Sequence, residues 1–88
     1  MSRAVIKPEP FSVLLVCTGN ICRSPLAEQL LQQMSGQIGV ELKAFSAGTY
    51  AEVGNAMHPQ SVKSMLELGF EPQEHVAQQL SAELLDRA

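Results

Sequence analysis

The chain has 88 residues, 45% hydrophobic and 17% charged, with six Lys and Arg against nine Asp and Glu for a formal net charge of −3 at pH 7. That is room for one small domain at most, an apolar content too high for a disordered chain, and the wrong sign of charge for a general nucleic-acid binder, whose Lys and Arg would cluster. The longest apolar run, residues 13–17, is far too short to span a membrane, and Lys7, Pro8 and Pro10 interrupt any signal-peptide core. A cytoplasmic protein with neither nucleic-acid nor membrane partners is therefore expected. Cys17 and Cys22 are too close in sequence to staple a fold. Thiols kept reduced for a functional purpose fit better.

In chain order, residues 1–10 read as a flexible arm, with Pro8 and Pro10 suited to an extended entry. Residues 11–16 are apolar and rich in branched side chains, as in a strand buried on both faces. Residues 17–24 are small and turn-prone, and Pro25 predicts a helix start with Ser24 as its cap. Leu26, Leu30, Leu31 and Met34 recur at helical spacing and are expected to face the core, until Gly36 or Gly39 ends the run. Residues 40–45 alternate between apolar and charged, the pattern of a half-exposed edge strand. A loop over 49–58 contains Gly54 and Asn55. Pro59 then predicts a second helix, capped by His58, with Val62, Met65 and Leu66 facing inward and Gly69 closing it. After a loop over 72–79, Ser81 caps a last helical stretch carrying Leu84 and Leu85.

The order strand, loop, helix, strand predicts an α/β fold with a parallel pair joined by a right-handed crossover. Two parallel strands cannot cover their own faces. Residues 11–88 are therefore expected to be an incomplete domain, the N-terminal portion of a doubly wound parallel sheet with a phosphate-binding loop between first strand and first helix. An uncovered edge or face at residues 11–16 would invite self-association.

The chemistry concentrates in residues 17–24. A loop between a buried strand and a helix start gathers backbone N–H groups that have no intrahelical partner, at the positive end of the helix dipole. Gly19 permits close approach and Asn20 tolerates the left-handed region, so Thr18, Gly19, Asn20, Ile21 and Cys22 can form a nest for phosphate or a similar oxyanion. Arg23 can hold two phosphate oxygens with its fork. Cys17 at the strand end points into the same field. A free thiol with a pKa of about 8.5 is only ~3% thiolate at neutral pH, whereas thiols in comparable sites reach roughly 3.5–7.5. Cys17 would then attack phosphorus in line and form a cysteinyl-phosphate for water to hydrolyse.

The full string Cys17-Thr18-Gly19-Asn20-Ile21-Cys22-Arg23-Ser24-Pro25, directly after an apolar strand, resembles the signature of the low-molecular-weight protein tyrosine phosphatases, of bacterial type. The likeness extends over most of residues 11–87, through residues 46–49, 54–59 and 75–80. It implies Cys17 as nucleophile, Arg23 as transition-state clamp, and Ser24 as hydrogen-bond donor to the Cys17 sulfur. It further implies Asn20 and His75 as loop support, Cys22 as redox partner of Cys17, and Ile21, Tyr50 and Val53 at the substrate entrance. The implied partner is a phosphotyrosine protein, with no cofactor. Gln78 stands where the family pattern H-x-A-R has Arg. The family's general acid is an Asp followed by Pro nearer the C-terminus, whereas the one aspartate here, Asp86, precedes Arg87. Poor turnover is therefore expected of these 88 residues.

Each of these residues also has a plainer reading. Cys17 and Cys22 could be small core fillers, Arg23 a surface charge, Tyr50 a packing residue, and His58 and His75 structural hydrogen bonders. A zinc site from Cys17, Cys22, His58 and His75 lacks the short ligand spacing such sites use, and no metal is expected. A thioredoxin-coupled arsenate reductase would share the anion loop but needs further cysteines to relay a disulfide. A non-catalytic phosphate-binding fragment is the third reading.

Overall fold

The structure, a computed structural model, describes residues 3–7 and 11–88. Its elements run β1 (Arg3–Lys7), β2 (Phe11–Cys17), α1 (Arg23–Gln37), β3 (Leu42–Gly48), α2 (Pro59–Glu67) and α3 (Ala82–Arg87). The expected strand–loop–helix–strand unit is present as β2–α1–β3. β2 and β3 pair in parallel, from Phe11 opposite Leu42 to Cys17 opposite Gly48. β3 lies at the edge of the sheet order β1-β2-β3, starting later than the alternation of residues 40–45 suggested.

Two expectations about the N-terminal region change. Residues 3–7, read as part of a flexible arm, form β1, antiparallel to β2 with Arg3 opposite Val16 and Lys7 opposite Ser12. The rest of that arm, residues 1–2 and 8–10, lies outside the described residues. The loop over residues 17–22, expected after the first strand, accordingly follows the second. β2 is also the central strand, hydrogen-bonded on both edges, so the unpaired edge on which self-association was expected does not exist there.

The core forms where β2 and β3 meet α3. Leu14, Val16, Ala47, Leu84 and Ala88 are buried together, with Phe45 and Leu80 packed against them. The expected caps of the later helices are in place. His58 Nδ1 accepts from the Gln60 N–H at 3.0 Å, and Ser81 Oγ accepts from the Leu84 N–H at 3.3 Å. Met65 of α2 is fully buried as expected, but Leu66 and Leu85 are exposed, each being the neighbour of the inward residue on a helix with room for one apolar row.

α1 departs most from its apolar pattern. Its buried residues are Ser24, Pro25, Gln29 and Ser35, while Leu30 and Leu31 are only partly buried and Met34 is half exposed. The helix turns a polar side toward the sheet and loops, opposite the leucine stripe. Gln32 explains why: its amide donates to the Leu42 carbonyl at 2.6 Å and accepts from the Ala44 N–H at 2.8 Å, pairing with the edge of β3 as another strand would. Gly39, just past the helix, takes the left-handed conformation (φ 74°) that ends the run.

Candidate active site

The loop from Cys17 to Cys22 joins the C-terminal end of β2 to the start of α1. Each of its carbonyls is held from outside. Cys17, Thr18 and Gly19 accept from the N–H groups of Thr49, Tyr50 and Glu52, each at 2.9 Å, and Ile21 accepts from His58 N at 2.6 Å. The Asn20 carbonyl lies 2.6 Å from His75 Nε2, and the Cys22 carbonyl accepts from the Ser61 hydroxyl at 3.0 Å. A carbonyl can only accept, so His75 Nε2 carries the proton in that contact. With its carbonyls drawn outward, the loop presents N–H groups inward, the polarity an oxyanion requires.

Asn20 fixes the curvature. It has φ 58°, the single non-glycine residue in the left-handed region among those described, and it is fully buried. Its Nδ2 donates to Ser24 Oγ and to Ser46 Oγ, both at 2.9 Å. Its Oδ1 accepts from the Gln78 N–H at 2.8 Å. Ser46 in turn donates to Glu28 Oε1 at 2.5 Å. Gly48 leaves the space the loop needs, since a Cβ there would collide with the Thr18 carbonyl oxygen and lie 3.0 Å from Asn20 N.

Ser24 Oγ lies 2.9 Å from Cys17 Sγ. Because that oxygen already accepts from Asn20, its own hydrogen is free to point at the sulfur. Ser24 was expected to cap α1 and does not. The cap position is Cys22, without a side-chain cap bond, and Ser24 stands inside the first turn where its hydroxyl reaches back to Cys17. Pro25 is tolerated one residue later because the first helical N–H groups have no partner within the helix. Burial pushes the Cys17 thiol up. The Ser24 hydroxyl and the N–H groups of Ser24, Asn20 and Cys22 outweigh it, so the net displacement is downward, toward thiolate.

Above the sulfur opens a pocket of about 530 Å³ lined by Cys17, Thr18, Gly19, Ile21, Cys22, Arg23, Tyr50 and Glu52. Most of the expected site residues thus meet in one place, with Asn20 and His75 behind the loop in a supporting position. Val53 is exposed and does not line the pocket. Cys22 is an exposed free thiol and Cys17 a buried one. Asp86 lies on α3 and is not among the lining residues. Among the described residues no group of three or more His, Cys, Asp or Glu is placed to hold a metal ion. Sequence reading did not single out Glu28, Ser46, Gly48, Glu52 or Ser61, because each acts through a partner distant in the chain. Gln78, the departure from H-x-A-R, donates through its amide to the Ser46 carbonyl at 2.8 Å, a neutral contact.

A cysteine held toward thiolate in a ring of inward N–H groups, with an arginine opening the adjoining helix, defines a cysteine-dependent phosphate-loop protein. The family model for low molecular weight phosphotyrosine protein phosphatases matches residues 12–88, and the chain belongs to that family. It is 43% identical over 77 residues to a probable low molecular weight protein-tyrosine-phosphatase, EpsP, of Ralstonia solanacearum, which covers 88% of this chain and 50% of that one. It is 34% identical over 76 residues to a protein-arginine-phosphatase of Bacillus subtilis, with 86% and 50% covered. The crystal structure of YfkJ from Bacillus subtilis superposes with a TM-score of 0.80 at 37% identity, covering 85% of this chain and 49% of that one. The chain thus spans about half the length of the relatives it matches. No helix among the described residues is long and apolar enough to cross a membrane.

Proposed function

We propose that this site hydrolyses phosphotyrosine in proteins through a cysteinyl-phosphate. The observation that carries the reading is the Cys17 sulfur, 2.9 Å from a Ser24 hydroxyl that can donate to it as thiolate, in a loop whose carbonyls are all held from outside. In the first step the Cys17 thiolate attacks phosphorus, a P–S bond forms and the P–O bond to the aryl group breaks. Arg23 and the loop N–H groups hold the equatorial oxygens as charge builds on them. In the second step water attacks phosphorus, the P–S bond breaks, and the Ser24 hydroxyl stabilises the departing thiolate. Ile21 and Tyr50 at the mouth offer an apolar edge and an aromatic face on which the ring of an aryl ester can pack. Two free thiols suit a reducing, cytoplasmic setting.

The leaving oxygen of tyrosine needs a proton, and a positioned acid contributes roughly 10²–10⁴ in rate. The carboxylate in the pocket lining is Glu52. Its backbone is tied to Gly19 but its side chain is exposed, so turnover by these residues is expected to favour esters whose leaving group needs no proton. The test is hydrolysis of p-nitrophenyl phosphate, a phosphotyrosine peptide and a phosphoarginine peptide, with Cys17→Ser as control. Release of p-nitrophenol that the substitution abolishes supports the reading. Faster release from phosphoarginine than from phosphotyrosine would reverse the substrate assignment. Failure of inorganic phosphate to protect Cys17 from iodoacetate would overturn the site itself.

A further inference from the structure

Asn20 is held in its left-handed conformation by polar contacts from two sources. The Ser24 and Ser46 hydroxyls take its amide hydrogens, while the segment containing His75 and Gln78 holds its carbonyl and its Oδ1. That segment has no helix or strand of its own beyond an isolated bridge between Gln79 and Gly48. Its placement therefore depends on what anchors it. On one side Ala77 exchanges backbone bonds with the Gly54–Asn55 turn, donating to the Asn55 carbonyl at 2.9 Å and accepting from Gly54 N at 3.0 Å. On the other side the anchor is a side chain. Gln29 Nε2 donates to the Gln73 carbonyl at 2.9 Å, and Gln29 Oε1 accepts from the Gln73 N–H at 2.8 Å. Gln33, one turn further along α1, donates to the Glu71 carbonyl at 2.7 Å.

We propose that Gln29 is a positioning residue of this site: its two-bond grip on the Gln73 backbone sets the place from which His75 reaches the Asn20 carbonyl, and so holds the phosphate loop in shape. Gln29 is buried to 5% exposure on a helix side where an apolar residue would be ordinary. A primary amide presents a donor and an acceptor on two separate atoms, which match the carbonyl and the N–H of the Gln73 backbone. Because Gln29 and Ser24 belong to the same helix, α1 registers the loop twice, directly through Ser24 and indirectly through Gln29, Gln73 and His75.

The inference rests on the loop being an oxyanion site with a reactive Cys17, and the two can fail separately. Phosphate protection of Cys17 from iodoacetate in the parent chain tests the site. The rate of Cys17 carboxymethylation against pH, followed by peptide mass so that Cys22 is counted apart, tests Gln29. The charged groups that face Cys17 across the pocket, Arg23 from α1 and Glu52 from the 49–58 loop, are left in place, and so is His75 behind the loop. Gln29→Ala should slow carboxymethylation at pH 6 by threefold or more and move the profile to higher pH. His75→Ala should do the same, and the double variant should be no slower than His75→Ala alone. Ser81→Ala, which removes the cap of α3 and lowers Tm without touching this chain of contacts, should leave the profile where it was. Should Gln29→Ala not fold, Gln29→Glu, which keeps the bond from Gln73 N–H and loses the other, carries the same comparison. A Gln29 variant with the parent profile, a double variant whose effects multiply, or an equal shift in Ser81→Ala would each overturn the proposal.

Discussion

Ser24 Oγ stands 2.9 Å from Cys17 Sγ and 2.9 Å from Asn20 Nδ2, so it accepts from the asparagine and keeps its hydrogen for a Cys17 thiolate, which can only accept. A hydrogen bond to a charged acceptor contributes about 1.5–3 kcal/mol, and one pKa unit corresponds to about 1.4 kcal/mol. Ser24→Ala should therefore raise the Cys17 pKa and slow its alkylation at pH 6 about tenfold or more. The sign follows from the depressed folded-state pKa. Stabilisation by the thiolate is fully present above the unfolded thiol's pKa and is lost as pH falls through the folded value. Ser24→Ala should flatten that part of the stability profile, read as Tm between pH 9 and pH 5. An unchanged alkylation profile would mean that the hydroxyl bonds elsewhere in solution.

Asn20 combines a strained backbone with a fully used side chain. Asn20→Ala takes one bond each from the Ser24 and Ser46 hydroxyls and leaves the Gln78 N–H without its partner, at about 1–3 kcal/mol for a buried group left unpaired, and adds about 1–2 kcal/mol for a left-handed alanine. Asn20→Gly avoids the second contribution. Both should lose phosphate protection of Cys17, and urea denaturation should find the glycine variant the more stable by about 1 kcal/mol. Equal stability of the two would show that the loop relaxes out of the left-handed conformation once the side chain is gone.

The parts of this arrangement that sequence reveals are those written locally. The apolar run before Cys17, the glycine and asparagine after it, Pro59 behind His58, and Ser81 ahead of Leu84 each act within a few residues, and each element formed. Ser46, Glu28 and Gln29 act across the fold, through hydrogen bonds that leave no period in the sequence. Ser24 illustrates the conflict between levels. Serine before proline is a sound cap signal, but the hydroxyl is claimed by Cys17 and Asn20, and the helix starts without a side-chain cap. The leucines of α1 mislead for a related reason, because the sheet-facing side of that helix is occupied by amides and hydroxyls that satisfy β3 and the loops. β1 went unread because Pro8 and Pro10, decisive against a continuous strand, say nothing against a strand that ends before them.

Gly48 is required for space, since its backbone is not in the left-handed region. A methyl group there meets the Thr18 carbonyl oxygen, Asn20 N and the Ala51 Cα, all of them backbone. No flexible side chain can give way, so the loop itself must shift. Gly48→Ala should abolish phosphate protection of Cys17 while far-UV circular dichroism still reports folded helices. Retained protection would mean that the 48–51 turn, not the phosphate loop, absorbs the methyl group.

Tyr50 is 82% exposed at the pocket mouth, held there because Gln79 accepts from Ala51 N–H and donates to the Thr49 carbonyl, each at 2.9 Å. An exposed ring has little to do in the core, and its cost of exposure is recovered if an aromatic substrate stacks on it, an interaction of about 0.5–1.5 kcal/mol beyond area burial. Tyr50→Ala should weaken p-nitrophenyl phosphate binding about two- to tenfold and leave inorganic phosphate binding as it was. Equal weakening of both would assign the Tyr50 side chain to the shape of the loop instead of to the substrate.

Cys22 opens α1 as an exposed free thiol, and the Ser61 hydroxyl that holds its carbonyl also lies 3.4 Å from its sulfur. Peroxide converts a thiolate to a sulfenic acid with release of water or hydroxide, and a nearby thiol can condense with that sulfenic acid to a disulfide, releasing a second water. Cys17, held toward thiolate, is the sulfur that reacts first, and Cys22 is the candidate to resolve it. One equivalent of peroxide should therefore give an intramolecular disulfide that dithiothreitol reverses. In Cys22→Ser, which has no thiol to trap the sulfenic acid, a second equivalent of peroxide should carry Cys17 on to the sulfinic state with release of water; dithiothreitol does not rescue that state, so recoverable phosphate-protected alkylation falls severalfold. If Cys22→Ser recovers as fully as the parent, the loop is too rigid for the two sulfurs to meet, and Cys22 serves only to start the helix.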